Sequence, residues 1–302
     1  AAPMRDSEVP FPSSATMSAV IELTADKATG PDGIPPSAWA SCGPRGAKVL
    51  RDLFCLTCRG IQLPCEITDN TMCFLAKVSP AAGARTITVA PSEIRPLSLK
   101  NSDNKAMAAL FAHAWRVPLM RCTVDLQRGF VPRRNFVANV LELDTAARCY
   151  ANEEEGSPAS SKSVSTLPGI LLYDYAAAFP SVAHDWMFAV LRARGMHEGA
   201  IRFVKFLYSD VTTFVAVEGG LRAVFKVTAG VLQGCPGSGL LFAAVSDPIL
   251  RAQKLVVGTS ALLRACADDL GHAFRSLDTL PAMASLFLRV ERISNLKLKP
   301  TK

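Results

Sequence analysis

Long apolar runs without charge are missing from this sequence, and no secretory signal pattern opens it. No apolar segment reaches the roughly 18 residues that a transmembrane helix requires before a charged residue interrupts it. The first residues lack the basic and apolar regions that together make a signal peptide. We therefore expect a protein that is not secreted, has no membrane partner, and works in the nucleus or the cytoplasm.

The nine cysteines also lack the even framework found in small secreted disulfide proteins, which favours a reducing compartment. One group, Cys55, Cys58, Cys65 and Cys73, could be interpreted as a zinc site. No histidine lies near this group in the sequence, and Cys55 and Cys58 fall within an apolar helical pattern. Cysteine in such a pattern behaves as a small hydrophobic residue, and we favour that interpretation.

The composition is that of a globular protein with a basic surface. The 302 residues suffice for two or three subdomains, and 49% of them are apolar while 20% are charged. The net charge of +7 and the isoelectric point near 9.0 are compatible with a polyanionic partner. The absence of an initiator Met and the abrupt end after Lys302 suggest a fragment of a longer protein.

Two acidic stretches about ninety residues apart carry the most chemistry. Residues 169–173 predict a short buried strand that ends before Asp174, and residues 261–266 predict a second strand before a hairpin turn at Asp268 and Asp269. If these strands are neighbours, three carboxylates gather at one end of a sheet, where their repulsion calls for a cation or for protonation. Oxygen ligands suit Mg²⁺, and two ions about 3.5–4 Å apart form a clamp used in phosphoryl displacement. The ordinary alternative is that these aspartates cap a helix and form a turn.

The segment between the acidic stretches favours the first interpretation. Residues 233–242 read Gln-Gly-Cys-Pro-Gly-Ser-Gly-Leu-Leu-Phe and run from a glycine-punctuated loop into an apolar helix. Together with the Asp followed five residues later by Phe, and with Ala-Asp-Asp, this block resembles the palm of reverse transcriptases, most closely that of non-LTR (LINE-like) retrotransposons. The resemblance implies an α+β fold with right-hand polymerase fingers and palm, an antiparallel palm sheet packed on helices, and no thumb.

Two further segments extend the resemblance over nearly the whole chain. Residues 27–33 read Lys-Ala-Thr-Gly-Pro-Asp-Gly and are similar to the motif ahead of the fingers in that family. Residues 127–134 are similar to a family segment that lies near template and primer, and arginines interleaved with aromatic rings suit phosphates and bases. The nucleic-acid-binding residues that this implies are Arg128, Arg133 and Arg134. A solvated basic loop is the alternative.

Four parts are predicted along the chain: an N-terminal extension (1–26), fingers with the template-contacting segment (27–150), a flexible insertion (151–167) and a palm (168–302). The insertion is rich in Ser and Glu and has no periodicity. Strands are predicted at 71–77 and 94–99, where the resemblance implies the fingers hairpin, and another hairpin is predicted from 212–217 and 223–228. Helical patterns occupy residues 47–58, 105–120, 135–150, 201–208 and 280–289.

The resemblance also implies the site residues. Asp174, Asp268 and Asp269 are the implied catalytic residues and, with the backbone of Tyr175, the implied ligands of two Mg²⁺ ions, for which Mn²⁺ can substitute. Asp268 is the implied direct ligand, which Asp269 supports. The implied nucleotide-binding residues are Lys77, Arg95, Ala178, Phe179, Gln233, Gly234 and Lys302.

Some of these roles have a physical reason and an ordinary alternative. A triphosphate beside carboxylates needs cations such as Lys77 and Arg95 on its far side, although a cation at a strand end is usually solvated. A ring at Phe179 would exclude a ribose 2′-hydroxyl, or it could be a core residue. Lys302 would protonate the leaving pyrophosphate, or it could be a solvated chain end. His184 has no evident partner and is expected to be structural.

The function that the resemblance implies is the RNA-directed DNA polymerase core of a non-LTR retrotransposon. Its reaction is two-metal nucleotidyl transfer from a dNTP to a primer 3′-hydroxyl, with an RNA template, a DNA primer and dNTPs as partners. One alternative is a decayed or repurposed copy that binds RNA without polymerising, supported by the glycines around Gln233 and by Pro180. The other is a reverse transcriptase similar to group II intron maturases.

Overall fold

The computed structural model describes residues 11–24, 27–79, 88–154 and 164–299. Lys302, the ends of the predicted N-terminal extension (1–10 and 25–26) and most of the predicted insertion (155–163) lie outside these residues. Among the described residues the helices are α1 Ser14–Thr24, α2 Pro36–Ser41, α3 Gly43–Cys58, α4 Ser102–Arg121, α5 Val137–Glu154, α6 Ala178–Ser181, α7 His184–Ala193, α8 Glu198–Tyr208, α9 Ser238–Val257 and α10 Leu280–Ser294. The strands are β1 Asn70–Ala76, β2 Ile94–Lys100, β3 Gly169–Tyr173, β4 Thr212–Val217, β5 Gly220–Lys226, β6 Ala261–Cys266 and β7 Asp269–Phe274.

The strands form two sheets, one of four strands and one of three. The first has the order β2-β1-β4-β5, in which the two hairpins are antiparallel and β4 lies parallel to β1 over two residue pairs. The second has the order β3-β7-β6 and is antiparallel throughout. A fold of helices with antiparallel and mixed sheets is thus confirmed.

Several helices pack on one another to form a large part of the core. The first nine residues of α9 carry no charge, which is typical of a helix buried on all sides, and its Phe242 is completely buried. Helices α3, α4 and α8 meet where the ring of Phe203 lies 4.6 Å from that of Phe54 and 5.6 Å from that of Phe111. Among the described residues, no helix has the length and apolar composition needed to cross a membrane.

Most predicted elements are present, and three details differ. The strands β3 and β6 begin and end at the predicted residues, but β3 is only half-buried. Ile170 and Leu172 are 48% and 68% exposed because β3 is an edge strand and both point to the less covered face. The turn between β6 and β7 is made by Ala267 and Asp268, while Asp269 already belongs to β7 and pairs with Cys266.

The third difference is α1, which the sequence pattern did not predict. Its Met17, Val20 and Ile21 are buried, and the helix packs against α2, α3 and α4. The part of the N-terminal extension that is described therefore belongs to the core.

Two segments cross the subdomain boundaries expected from the sequence. Strands β4 and β5 come from the predicted palm segment, yet they extend the sheet of β1 and β2. Helix α5 comes from the predicted fingers segment, yet it packs against β6 and β7. The subdomain division along the chain stays a prediction.

His272 makes the stability of the fold sensitive to acid. Its ring is buried on β7 between those of Tyr173 and Phe274, and its Nδ1 shares a hydrogen bond of 2.5 Å with the Tyr173 hydroxyl. Burial lowers the pKa of His272 from 6.5 to about 3. Between these two values the unfolded chain takes up a proton that the folded protein does not, so stability falls as the pH falls.

We expect His272→Phe to remove this acid sensitivity. Between pH 6.5 and pH 4.5 the natural protein should lose about 2 kcal/mol of unfolding free energy more than the variant, because one pKa unit corresponds to about 1.4 kcal/mol. Urea unfolding of both proteins at several pH values measures the difference. Parallel pH profiles would show that His272 is not neutral in the folded state.

Candidate functional site

Asp174, Asp268 and Asp269 come together at one end of the three-stranded sheet. Tyr173 pairs with Leu270 across β3 and β7, so that the next residues, Asp174 and Asp269, face each other on the same side of the sheet. Asp268 lies in the turn one residue before Asp269. The two distant acidic stretches are therefore neighbours, because β7 lies between β3 and β6.

The residues at this sheet end fit a divalent metal ion bound through oxygen. Tyr175 forms an isolated antiparallel bridge with Leu298, whose hydrogen bonds are made by Asp174 O and Ala176 N. The Tyr175 carbonyl is not used in this bridge. Among the described residues, no group of three His, Cys, Asp or Glu side chains is close enough to hold a metal ion. Carboxylate oxygens are the type of ligand that hard divalent cations such as Mg²⁺ prefer, so the aspartates are of the right chemical type.

The pKa of the Cys266 thiol is affected by the negative charge of this region. Burial raises the pKa of the Cys266 thiol, and the charges of Asp269 and Asp268 raise it further. Cys266 and Asp269 both line a cavity of about 510 Å³ that Leu172 and the side of α5 complete. The acidic sheet end thus opens onto a partly apolar groove.

The glycine-rich loop before α9 connects this site with the first sheet. The Gln233 carbonyl accepts a hydrogen bond from Ser98 N in β2 at 2.7 Å, and Val231 N donates to the Phe179 carbonyl at 2.8 Å. Gly234 has a φ of +104°, and a Cβ there would lie 2.5 Å from Ser98 O. Only glycine allows the loop to approach β2 so closely.

The expected phosphate-binding cations lie on the hairpin of β1 and β2. Arg95 pairs with Leu75, and Lys77 follows two residues after Leu75, so that Arg95 and Lys77 point to the same side of the hairpin. Both are exposed, and Lys77 N donates to the Glu93 carbonyl at 2.8 Å. Arg95 lies three residues before Ser98, which touches the Gln233 loop. The hairpin therefore carries two exposed cations, one of them on the strand that contacts the Gln233 loop.

Phe179 packs within the core and reaches its edge. Its ring stacks on that of Phe242 with centroids 4.5 Å apart and lies edge-on to Phe130 at 5.8 Å. Phe179 remains partly exposed, while the preceding Ala178 is buried. This position is compatible with both expected roles, a core residue and a ring facing a ligand.

Two of the three expected nucleic-acid-binding arginines are engaged by the protein itself. Arg128 forms an ion pair with Glu142 at 2.6 Å, and Arg264 contacts the other oxygen of that carboxylate. Arg134 donates hydrogen bonds to the carbonyls of residues 123, 124 and 127 and to Asp125. Arg128 and Arg134 thus brace this segment, whereas Arg133 is exposed, and a role of the three arginines in nucleic-acid binding stays a prediction.

His184 and Gln127 both have structural contacts. His184 Nε2 hydrogen-bonds the Gly230 carbonyl at 2.9 Å, in agreement with the expected structural role. Gln127 received no role of its own from the sequence, yet its side chain is completely buried against the turn that carries Asp268. The only sequence signal for it is its place at the start of the Gln-Arg-Gly-Phe block.

Comparison with known families gives a match over most of the chain. The model of the family described as "Reverse transcriptase (RNA-dependent DNA polymerase)" matches residues 82–302. Among curated proteins, the chain is 27% identical over 254 residues to the Pol polyprotein of the type-2 retrotransposable element R2DM from Drosophila melanogaster, covering 80% of the chain and 21% of that protein. It is 25% identical over 231 residues to the Pol polyprotein of a type-1 R2 element from Bradysia coprophila, covering 75% of the chain and 23% of that protein. The chain thus spans less than a quarter of the length of these relatives.

Solved structures of similar fold include two telomerases. An apo telomerase from Candida tropicalis, truncated from its C-terminal domain, superposes with a TM-score of 0.57 at 10% identity, covering 88% of this chain and 54% of that one. Telomerase from Candida albicans, in complex with a fragment of telomeric RNA, superposes with a TM-score of 0.53 at 10% identity, covering 79% and 43%. At this identity the likeness concerns the fold alone.

Proposed function

The chain belongs to the reverse transcriptase (RNA-dependent DNA polymerase) family, and from this we propose that it extends a DNA primer by copying an RNA template with dNTPs. The relatives from R2 elements support the core of a non-LTR retrotransposon polymerase. The observation that carries the proposal is the register of β3, β7 and β6, which brings the carboxylates of Asp174, Asp268 and Asp269 to one end of a sheet. We assign β3, β6 and β7 to the palm and the hairpin of β1 and β2 to the fingers.

The acidic sheet end would hold two Mg²⁺ ions, or Mn²⁺ in their place. When bound, such ions activate the primer 3′-hydroxyl and neutralise the charge on the transferred phosphate. Asp174, Asp268 and Asp269 supply carboxylate ligands, and the Tyr175 carbonyl supplies a further oxygen. Exposure of Asp269 and partial exposure of Asp268 leave room for a substrate phosphate beside them.

The remaining residues bind and orient the nucleotide. Arg95 and Lys77 hold the triphosphate on the side away from the carboxylates, because guanidinium and ammonium groups bind phosphate oxygens strongly. The backbone at Gln233 and Gly234 approaches the base pair, and Phe179 with Ala178 forms the floor under the sugar. Lys302, outside the described residues, is assigned to protonation of the leaving pyrophosphate.

Arg133 is the arginine of its segment that we assign to nucleic-acid phosphates. It is exposed in the same short segment as Phe130, which is 55% exposed. An arginine beside an exposed ring suits a nucleic-acid strand, with phosphate on the cation and a base on the ring. RNA template and DNA primer are thus the proposed partners, in a nuclear or cytoplasmic setting.

Primer extension tests the proposed function. The protein is incubated with an RNA template, an annealed DNA primer, Mg²⁺ and either dNTPs or rNTPs. We expect products extended to the template end with dNTPs, and loss of extension when EDTA is added. Tight binding of the RNA without any extension, in Mg²⁺ and in Mn²⁺, would instead support an RNA-binding copy that has lost catalysis.

Sugar selectivity provides a sharper test of Phe179. Phe179→Val replaces the ring under the sugar by a smaller side chain, which leaves space for a 2′-hydroxyl. We therefore expect the preference for dNTPs over rNTPs in kcat/KM to fall at least about tenfold, the equivalent of about 1.4 kcal/mol. The matched control is Phe242→Val, which removes the stacking partner without touching the sugar. If both variants lose activity toward dNTPs and rNTPs equally, Phe179 is a core residue only.

A further inference from the structure

We propose that Gln127 is a positioning residue that holds the Ala267–Asp268 turn in the conformation required for catalysis. The inference rests on the proposed function, because the turn carries the carboxylates assigned to metal binding. Gln127 touches neither substrate nor metal in this proposal. It acts through the backbone of Ala267.

The side-chain amide of Gln127 hydrogen-bonds both the N–H and the carbonyl of Ala267 in the turn. Its Oε1 accepts hydrogen bonds from Ala267 N and from Gly129 N, each at 2.8 Å, and its Nε2 donates to the Ala267 carbonyl at 3.1 Å. Because two backbone donors face Oε1 and a backbone acceptor faces Nε2, only one orientation of the amide satisfies the site. The side chain is completely buried, so water cannot replace these bonds.

The turn needs such support because Ala267 is in an unfavourable backbone conformation. Its φ of +57° lies in the left-handed region of backbone conformation, which residues other than glycine rarely adopt. The next residue is Asp268, and a change at Ala267 would redirect its carboxylate. The hydrogen bonds of Gln127 therefore hold Ala267 in a strained backbone conformation next to the proposed metal ligand Asp268.

The segment that carries Gln127 is itself fastened to the same strand. Ala265 N donates to the Leu126 carbonyl and Arg128 N donates to the Ala265 carbonyl, each at 2.9 Å, so that residues 126–128 lie beside β6 like a short parallel strand. Gly129 continues the contact, because a Cβ there would lie 2.2 Å from Ala267 N. The segment and the turn form one unit, in which Gln127 makes the only side-chain hydrogen bonds to Ala267 that the described residues show.

The test compares Gln127→Met with a control that loses an equivalent buried amide elsewhere. Met keeps the length of the side chain and removes these three hydrogen bonds, together with the long one that Nε2 donates to Ser246 Oγ at 3.5 Å. We expect kcat for primer extension to fall about 10²-fold, since a displacement of about 1 Å in a catalytic group costs that much, while KM for dNTP and affinity for RNA change less than about threefold. Hydrogen exchange of the backbone amides at residues 266–270 should become at least about tenfold faster, because the Ala267 amide loses its acceptor.

The control is Asn101→Leu. Asn101 is also buried, accepts a hydrogen bond from Asp32 N at 3.2 Å and donates to the Glu66 carbonyl at 2.7 Å, but it contacts no part of the turn. Asn101→Leu should lower the stability of the protein. It should leave kcat within about threefold of the natural value and hydrogen exchange at residues 266–270 unchanged. If Gln127→Met does not fold, Gly129→Ala replaces it, because the added methyl group presses on Ala267 N without altering the amide.

Three outcomes would overturn the inference: unchanged exchange at residues 266–270 in Gln127→Met, an equal loss of kcat in Asn101→Leu, or full activity in Gly129→Ala. Hydrogen exchange does not depend on polymerase activity. An inactive natural protein would therefore refute the proposed function, whereas the exchange measurement would still decide whether Gln127 holds the turn.

Discussion

Replacement of Asp268 by Asn is expected to reduce primer extension at least about 10³-fold while RNA binding is retained. Asn keeps the shape of the side chain and one oxygen, but it removes the negative charge that a divalent ion requires. Metal coordination at a phosphoryl group contributes several kcal/mol of transition-state stabilisation, and about 4 kcal/mol corresponds to a factor of 10³. Asp174→Asn should have a similar effect, because Asp174 lies across the same sheet end.

The matched control for this prediction is Asp278→Asn. Asp278 is exposed just after β7 and bears the same charge, but it lies beyond the opposite end of that strand from Asp269. We expect its rate to remain within about twofold of the natural rate, since an isolated surface charge contributes little. Initial rates of incorporation in Mg²⁺ and in Mn²⁺, with RNA affinity measured on the same preparations, give the comparison. Equal activity of Asp268→Asn and Asp278→Asn would remove Asp268 from the metal site.

The sequence predicts the strands of the site well, because each is a short apolar run between clear breaks. Strands β3 and β6 begin and end where the pattern of residues 169–173 and 261–266 predicts. That the aspartates following them meet could not be inferred from the runs themselves. It depends on β7 lying between β3 and β6, a long-range pairing that only the resemblance to reverse transcriptases made an expectation.

The partners of long charged side chains could not be predicted from the sequence. Arg128 and Arg134 lie in a segment whose composition is typical of phosphate binding. In the fold, however, Arg128 donates to Glu142, fourteen residues later, and Arg134 donates to backbone carbonyls. A guanidinium group reaches several ångströms from its backbone, so its partner is decided by tertiary structure. The same holds for Gln127, whose acceptor and donor on Ala267 lie 140 residues away.

Helix α1 was missed for a different reason. Met17, Val20 and Ile21 have the spacing of one helix face, but the pattern spans a single turn, and the cap by Ser13, which accepts a hydrogen bond from Thr16 N at 3.1 Å, became evident only in the structure. Its stability comes from packing against α3 and α4, a tertiary contribution that local patterns do not reveal.

The second large effect is expected for Asp247, which anchors the segment leading to Gln127. Asp247 is completely buried on α9, pairs with Arg194 and with Arg251, and accepts a hydrogen bond from Val124 N. Both arginines also donate to the Cys122 carbonyl. Asp247 and its two arginines therefore fix residues 122 and 124 just after α4, five and three residues before Gln127.

We expect Asp247→Leu to lower the unfolding free energy by about 3–5 kcal/mol, because it leaves two arginines partly buried without their counter-charge. The melting temperature should fall by roughly 5–10 °C, as measured by differential scanning calorimetry. The control Asp52→Leu removes an aspartate that also contacts two cations, Lys48 and Arg51, but at the exposed surface, and its melting temperature should change little.

A triple variant separates the loss of the charge from the loss of packing. Replacing Arg194 and Arg251 by Met together with Asp247→Leu removes every charge of the cluster, and apolar replacement of a whole buried ionic cluster is often neutral. We expect it to recover most of the stability that Asp247→Leu loses. It cannot restore the hydrogen bond to Val124 N, so the segment that holds Gln127 should remain looser and primer extension should stay impaired. Full recovery of activity with stability would show that the cluster supports the fold without guiding this segment toward the catalytic turn.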